Sequence, residues 1–489
     1  MLQRIRGLDG LRGIAVIAVV LYHADRNWLR GGFLGVDIFF VLSGFLITTI
    51  LMTEITATGA LDRANFYTRR IRRLFPALIG LLIVSIGVAG FVVHDSAYAL
   101  RRDLPWALTF VLNLSYIFFN QSYFINISRP PLLQHLWSLA IEEQFYILWP
   151  VVLLVLHKVK RISYRTLVAV SALVMAVGST AWMAHLAITN QYPIPNDPSR
   201  LYFGTDTHAM GLLIGCAVAA VVNIDKLNPR ITPDRKALMN FVGLGSLSAL
   251  IIGLIKIDEF APQLYRGGFI VVSLVTALTI VVLIHPGLRI GKVVGNPLLA
   301  WFGDRSYGMY IWHWPIFMLL RPGIDTALSD ALTQVVRIAI LLVVSDLSYR
   351  YVEMPIRRGA ISRVTSRWKE FGIPRPNIIT GSAIATAAVV LIFAGVNVIK
   401  APEVSASNMS AFGGITSIDE DPVVGLSSSD PAIPKVQPVL DIKPVVFGDS
   451  VVLGARDQLK EVLGLISIDA QVGRQPHEIA DRIEIRRAE

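Results

Sequence analysis

Residues 8–28 read LDGLRGIAVIAVVLYHADRNW. A membrane-spanning helix needs about 20 predominantly apolar residues. This stretch reaches that length only by taking in Arg12 near one end and His23 near the other. At 1.5 Å per residue the two lie about 16 Å apart along a helix, with Arg12 near the inner face and His23 well toward the outer one. An ionisable group inside a bilayer is costly and marks a functional position. The competing account of His23 is an interfacial histidine hydrogen-bonded to a neighbour.

Outward from this run the same texture continues. The chain has 489 residues, 54% hydrophobic and only 16% charged, against about 25% charged for a soluble domain. Residues 1–400 carry 37 Lys and Arg against 21 Asp and Glu, whereas the remainder carries 8 against 14. Basic charge beside hydrophobic spans is the positive-inside pattern, so the net +10 reflects topology and not a nucleic-acid footprint. No nucleic-acid partner is expected; the bilayer is. The single Cys216 lies in the apolar run GLLIGCAVAA, which excludes an intrachain disulfide and a thiolate cluster and makes it a buried structural cysteine. No metal site is expected. No cleavable signal peptide is read at the N-terminus, because the first apolar run carries Arg12 and His23 and lacks a clean small-residue cleavage site.

Apolar runs lie near 13–24, 35–52, 76–94, 105–120, 137–157, 167–187, 208–223, 237–256, 268–285, 300–320, 332–350 and 378–399. Arg4, Arg6 and Arg12 place the N-terminus inside. The basic stretch from Arg350 to Arg375 is also inside, and alternation puts Lys158, Lys160 and Arg161 there too. Both ends of 95–136 are then external. The run at 105–120 is therefore re-entrant or half of a helical hairpin, which leaves ten full spans and an eleventh at 378–399. The C-terminus emerges on the extracytoplasmic side. The fold class is an all-α polytopic membrane protein: a ten-helix core in 1–358, a cytoplasmic connector and eleventh helix in 359–400, an extracytoplasmic Ser/Asp/Pro/Gly-rich linker in 401–444 and a short α/β segment in 445–489. That last segment opens as KPVVFGDSVVLGARDQLKEV, a buried strand, a tight turn and a helix.

Several stretches carry charge where a membrane protein avoids it. GGFLGVDIFFVLSGFLIT (31–48) has Asp37 at the membrane edge and Ser43 among glycines that permit close helix contact. FYTRRIRRLFP (66–76), read as a loop, presents Arg69, Arg70, Arg72 and Arg73 just before a span. One arginine would be a lipid anchor; four in five residues suit a phosphorylated cytosolic donor, because the guanidinium fork binds phosphate bidentately. LLQHLWSLAIEEQFYILWP (132–150) places His135, Glu142 and Glu143 in or beside the outer half of a span. Adjacent helical residues point about 100° apart, so at most one of the two glutamates shares a cavity with His23. GDRSYGMYIWHWP (303–315) adds Asp304, Tyr310 and His313, of which Tyr310 and His313 join Asp37 and Ser43 as candidate cavity residues, and YRYVEMPIRR (349–358) adds Glu353, read as a structural ion-pair partner.

These motifs, in this order over residues 5–358, resemble the membrane acyltransferase family 3, O-acyltransferases of surface glycans in the bacterial inner membrane. The resemblance implies that His23 and Arg12, eleven residues apart, are the family's essential pair. Its paired-arginine motif carries over to Arg69 and Arg72, with Arg70 and Arg73 also available. It further implies a ten-helix core with a cytoplasmic N-terminus, an acyl-CoA donor and an envelope glycan acceptor. Acetyl is the family's commonest cargo, and succinyl or longer chains fit equally. His23, with an ordinary pKa near 6.5, suits a general base, and Arg12 suits a stabiliser of developing negative charge. Glu142 and Glu143 join them as candidate catalytic groups.

The tail resembles the start of an SGNH-type domain. FGDS makes Ser450 the nucleophile and AQVGRQ makes Gly473 an oxyanion-hole donor, but no Asp-x-x-His block follows, so Ser450 is expected to be inactive in this polypeptide. A proton-coupled transporter or flippase is the alternative function, since intramembrane His, Glu and Arg suit a carrier; no repeat of the first-span motif recurs in the second half. No oligomeric state is read from the sequence.

Overall fold

The computed structural model describes residues 4–124, 129–194, 196–360, 363, 378–402, 445–448 and 467–470. Two compact units divide after Ile399.

The first unit is helical. Its long helices are α1 (Arg6–Ala24), α2 (Gly35–Thr58) and α3 (Arg63–Phe91). Two short ones follow, α4 (Ala97–Leu108) and α5 (Leu112–Phe118). Then come α6 (Leu136–His157), α7 (Tyr164–Thr189), the short α8 (Ser199–Phe203) and α9 (Thr205–His208), and α10 (Met210–Val221). The series ends with α11 (Pro233–Lys256), α12 (Phe269–Ile284), the short α13 (Ile290–Val294), α14 (Pro297–Leu319), α15 (Asp330–Leu347), the short α16 (Met354–Arg357) and α17 (Ile378–Lys400). Among the described residues, eight helices are long and apolar enough to cross a membrane. The protein is an all-α polytopic membrane protein. The other three expected spans correspond to α10, α14 and α17. Nearly every residue of α10 is buried in the bundle, and α14 turns Arg305, Ser306 and His313 into the interior, so neither has to present a long apolar face to lipid.

The run at 105–120 does not form one helix. It breaks at Thr109–Val111, where Phe110 adopts a left-handed φ of 55°, and neither α4 nor α5 is long enough to cross. The basic stretch 66–76 is not a loop, in contrast to the sequence reading. Gly59, at φ 70°, terminates α2, and the Asp62 carboxylate accepts from the Asn65 backbone N–H (3.0 Å) as the N-cap of α3. A helix capped there carries Arg69 to Arg73 on its first turns.

Backbone-to-backbone crossings hold the bundle. α1 packs most extensively on α14, and α10 on α2 and α7. A Cβ on Gly10 would collide with the Val294 carbonyl and one on Gly303 with the Asp9 carbonyl; Gly44 and Gly215 bear the same relation to Leu212 and Val41. Small residues at such crossings replace the hydrophobic drive that lipid cannot supply. Cys216 is fully buried on the second crossing, its thiol 3.6 Å from the Gly44 carbonyl. The eleventh helix, α17, joins this unit: Asn397 Nδ2 donates to the Gly90 carbonyl (3.0 Å) and Arg101 to that of Ile399 (2.6 Å).

In the second unit, β1 (Val445–Gly448) pairs in parallel with β2 (Ser467–Ala470), with Val445 opposite Ser467. β1 falls where the sequence places a strand. Ser450 and Gly473 lie outside the described residues.

Candidate active site

Helices α1, α2, α3, α6 and α14 enclose a cavity of about 90 Å³. Arg12 comes from α1, Ser43 from α2, Arg70 and Arg73 from α3, Ser138, Glu142 and Tyr146 from α6, and Tyr307 and Tyr310 from α14. A second cavity, of about 330 Å³, adjoins it and is lined by Arg4, Asp9 and Arg69 as well as by the same Arg12, Arg70 and Arg73. Three guanidinium groups thus form a shared wall. Glu142 is the carboxylate opposite them. Its Oε1 accepts from Ser43 Oγ (3.1 Å) and its Oε2 from the Tyr146 hydroxyl (3.2 Å). The Arg70 guanidinium lies 3.5 Å from the centre of the Tyr146 ring, within cation–π range.

The helical periodicity of α3 sorts the four arginines. Arg69, Arg70 and Arg73 share a face, whereas Arg72 is among the lining residues of neither cavity. Arg69 also approaches Glu54 at 4.0 Å. Glu143 lines neither cavity, one residue being about 100° around the helix from its neighbour. Two further placements differ from the sequence reading. Asp37 does not face the cavity: it is 1% exposed and its Oδ1 lies 2.9 Å from Nε2 of His208, a residue the sequence reading did not single out. Glu353 accepts from Ser348 Oγ (3.3 Å), and the neighbouring Arg350 pairs instead with Asp346 (2.8 Å).

His23 lies outside both cavities, at the other end of α1. Its Nδ1 is 2.9 Å from the Val19 carbonyl, an acceptor only, so Nδ1 carries the hydrogen and Nε2 holds a lone pair. That lone pair accepts from the Tyr123 hydroxyl (3.1 Å). Around it stand Trp314 and His313, each with its ring centre 5.0 Å away. His313 is fully buried and its Nδ1–H donates to the Tyr310 carbonyl (2.6 Å). Tyr310 bridges the two regions. It lines the smaller cavity, its hydroxyl donates to the His135 carbonyl (2.8 Å), and Ser138 Oγ shares that hydroxyl at 2.5 Å.

Of the residues named from the sequence, Arg12, Ser43, Arg70, Arg73, Glu142 and Tyr310 line the smaller cavity, while His23 and His313 stand in ring contact outside it. Sequence reasoning missed Tyr146, which the i,i+4 relation to Glu142 pointed to, and Tyr123, which no local pattern marks. Among the described residues, no group of three or more His, Cys, Asp and Glu could hold a metal ion.

Comparison with known proteins follows this geometry. The acyltransferase domain family matches residues 5–350. Peptidoglycan O-acetyltransferase OatA of Listeria monocytogenes is 34% identical over 96% of this chain and 79% of its own length. YrhL of Bacillus subtilis, assigned as a peptidoglycan O-acetyltransferase, is 38% identical over 72% of this chain, which spans about half (55%) of that protein. No solved structure matches. With the matched region covering Arg12, His23, the α3 arginines, Glu142 and His313, the chain belongs to the membrane acyltransferase family 3 and is an O-acyltransferase.

Proposed function

We propose that this enzyme moves an acetyl group from cytosolic acetyl-CoA to a hydroxyl of an extracytoplasmic envelope glycan, with peptidoglycan, the acceptor in the name of OatA, as the glycan. The observation that carries the donor reading is the wall of Arg12, Arg70 and Arg73 between two cavities that also hold Arg4 and Arg69, five guanidinium groups against the two carboxylates of Glu142 and Asp9. An excess of guanidinium charge in a low-dielectric interior calls for an anion, and the diphosphate of CoA supplies one with bidentate geometry. The larger cavity takes the nucleotide end; the smaller leads the pantetheine arm toward Tyr310. His23 Nε2 then accepts the proton of the acceptor hydroxyl as it attacks the thioester, and Arg12 offsets charge at the donor. The charge pattern along the chain supports a cytoplasmic N-terminus, which puts the arginine wall on the CoA side and His23 on the glycan side. The segment from 445 is read as the start of an SGNH-like unit on the same outer side.

Binding of acetyl-CoA to the full chain in detergent tests the donor site. Arg70→Ala and Arg73→Ala should each weaken it by about 1.5–3 kcal/mol, the worth of a charge-assisted hydrogen bond, and added salt should weaken it further. Arg72→Ala should change it by less than about 0.5 kcal/mol. Equal affinity for the parent and the Arg70 and Arg73 variants would leave these arginines with anchoring alone.

A further inference from the structure

A row of four rings joins the outer base to the arginine-lined cavity. The ring centres of His23 and His313 are 5.0 Å apart, those of His313 and His135 5.6 Å, and those of His135 and Tyr310 5.7 Å. Tyr310 lines the cavity. His313 stands in the middle, 0% exposed. Its Nδ1–H is committed to the Tyr310 carbonyl, while its Nε2 meets no hydrogen-bond partner. A buried polar atom left in that condition costs about 1–3 kcal/mol, and its retention calls for a functional reason. With the hydrogen fixed on Nδ1, Nε2 is a lone pair on a buried ring beside that of His23.

The reaction supplies a use for it. The acceptor hydroxyl arrives at His23, whereas the CoA thiolate withdraws toward the arginine wall, so the proton released at one end is consumed at the other. We propose that His313 is a proton-relay residue that carries this proton from His23 to the leaving sulfur. The proposal rests on the acyl-CoA reading above. The hydroxyl oxygen bonds to the acyl carbon and its proton moves to Nε2 of His23. The carbon–sulfur bond breaks and its electron pair stays on sulfur. His23 passes the proton to Nε2 of His313, and His313, whose ring centre is 5.4 Å from that of the cavity-lining Tyr310, delivers it to the sulfur as the carbon–sulfur bond breaks. Both imidazoles finish neutral, each with its hydrogen on Nδ1 as at the start, and no other reactant is consumed. A small rotation of either ring closes the 5.0 Å centre separation to a hydrogen bond. Two adjacent buried imidazoles disfavour a shared second charge, so the proton moves onward and is not stored. A free thiol has a pKa near 8.5, so near neutral pH the sulfur ends as the thiol, and a proton delivered as the carbon–sulfur bond breaks assists its departure.

Leaving-group dependence tests the relay. The full chain in proteoliposomes is assayed for thiol release from acetyl-CoA and from an S-acetyl nitrothiophenol, whose far more acidic thiol departs without a proton. A short N-acetylglucosamine oligosaccharide serves as acceptor. His313→Gln keeps an amide donor for the Tyr310 carbonyl. Its kcat with acetyl-CoA should fall about 100-fold or more, the usual worth of a positioned proton donor, with KM changed less than about threefold. With the aryl thioester the loss should stay below about threefold, because that step needs no donor. His23→Gln should lose activity on both. Equal loss of the His313 variant on both substrates assigns it a packing role and overturns the relay, as does full activity on acetyl-CoA. A parent enzyme that cleaves the aryl thioester but not acetyl-CoA overturns the donor reading itself, and the relay falls with it.

Discussion

His208 is held between two oxygen acceptors, with its Nδ1 2.9 Å from the Tyr202 carbonyl and its Nε2 2.9 Å from Oδ1 of Asp37. The carbonyl only accepts, so Nδ1 carries a hydrogen, and the second contact needs one more proton on either Nε2 or the carboxyl group. In both arrangements the pair has no net charge, which is what permits it to sit fully buried beneath the rings of Phe40, Trp137 and Phe269. It pins α2 to α9, and Trp137, stacked on His208, carries the contact on to Tyr123.

Removing one partner of such a pair strands the other. Asp37→Ala should destabilise the protein by about 3–5 kcal/mol, seen as a fall in the apparent Tm in detergent. Asp37→Asn keeps an oxygen acceptor toward His208 and should cost less. If the alanine variant melts with the parent, the pair contributes nothing to the fold.

A second network lies outside the spans and predicts a pH dependence. Arg129 and Arg321 both pair with Asp325, at 2.7 and 2.9 Å, and Arg129 also reaches Asp95 at 3.0 Å and the Met318 carbonyl. Partial burial alone would raise the Asp325 pKa, but hydrogen bonds from Arg321 and Arg129 outweigh it and hold the carboxyl well below the usual carboxylate range. A depressed folded-state pKa stabilises the protein above the unfolded value, about 3.9, and that stabilisation is lost as pH falls toward the folded value. The stability deficit of Asp325→Asn should therefore be constant from about pH 8 to 5 and shrink only below about pH 4. A deficit that already shrinks between pH 7 and 6 contradicts the assignment.

Topology offers a test independent of family. In a Cys216→Ser background, His94→Cys and Asn120→Cys should both react with an impermeant thiol reagent added outside whole cells, the outcome that charge alternation expects if α4 and α5 dip in and return. Arg358→Cys should react only after the membrane is opened. If Asn120→Cys labels only in opened cells, α4 and α5 together cross the membrane and the orientation of every later helix reverses.

The sequence by itself determined the membrane class, the approximate positions of the helices and the presence of Arg12 and His23 within the first of them. Those rest on one physical fact, that lipid excludes charge, so a charge in an apolar run declares itself without any knowledge of the fold. The same argument, applied to His208 just ahead of the apolar run Met210–Val221, would have found that residue too. The broken run at 105–120 was legible from charge alternation alone. The helical state of residues 66–76 was not, because the apolar run begins only at Pro76 whereas the helix is capped at Asp62; with the helix begun there, Arg70 and Arg73 line the cavities and Arg72 does not. Only the tertiary structure decided the rest. It set Tyr123 on His23, a hundred residues away along the chain, turned Asp37 from the cavity toward His208, and brought the rings of His23, His313, His135 and the cavity-lining Tyr310 into successive contact. Each helix declares its own apolar face, but which polar side chains meet inside the bundle depends on the rotation of one helix against another. That rotation is set by close contacts such as Gly10 on Val294 and Gly44 on Leu212, which no local periodicity records.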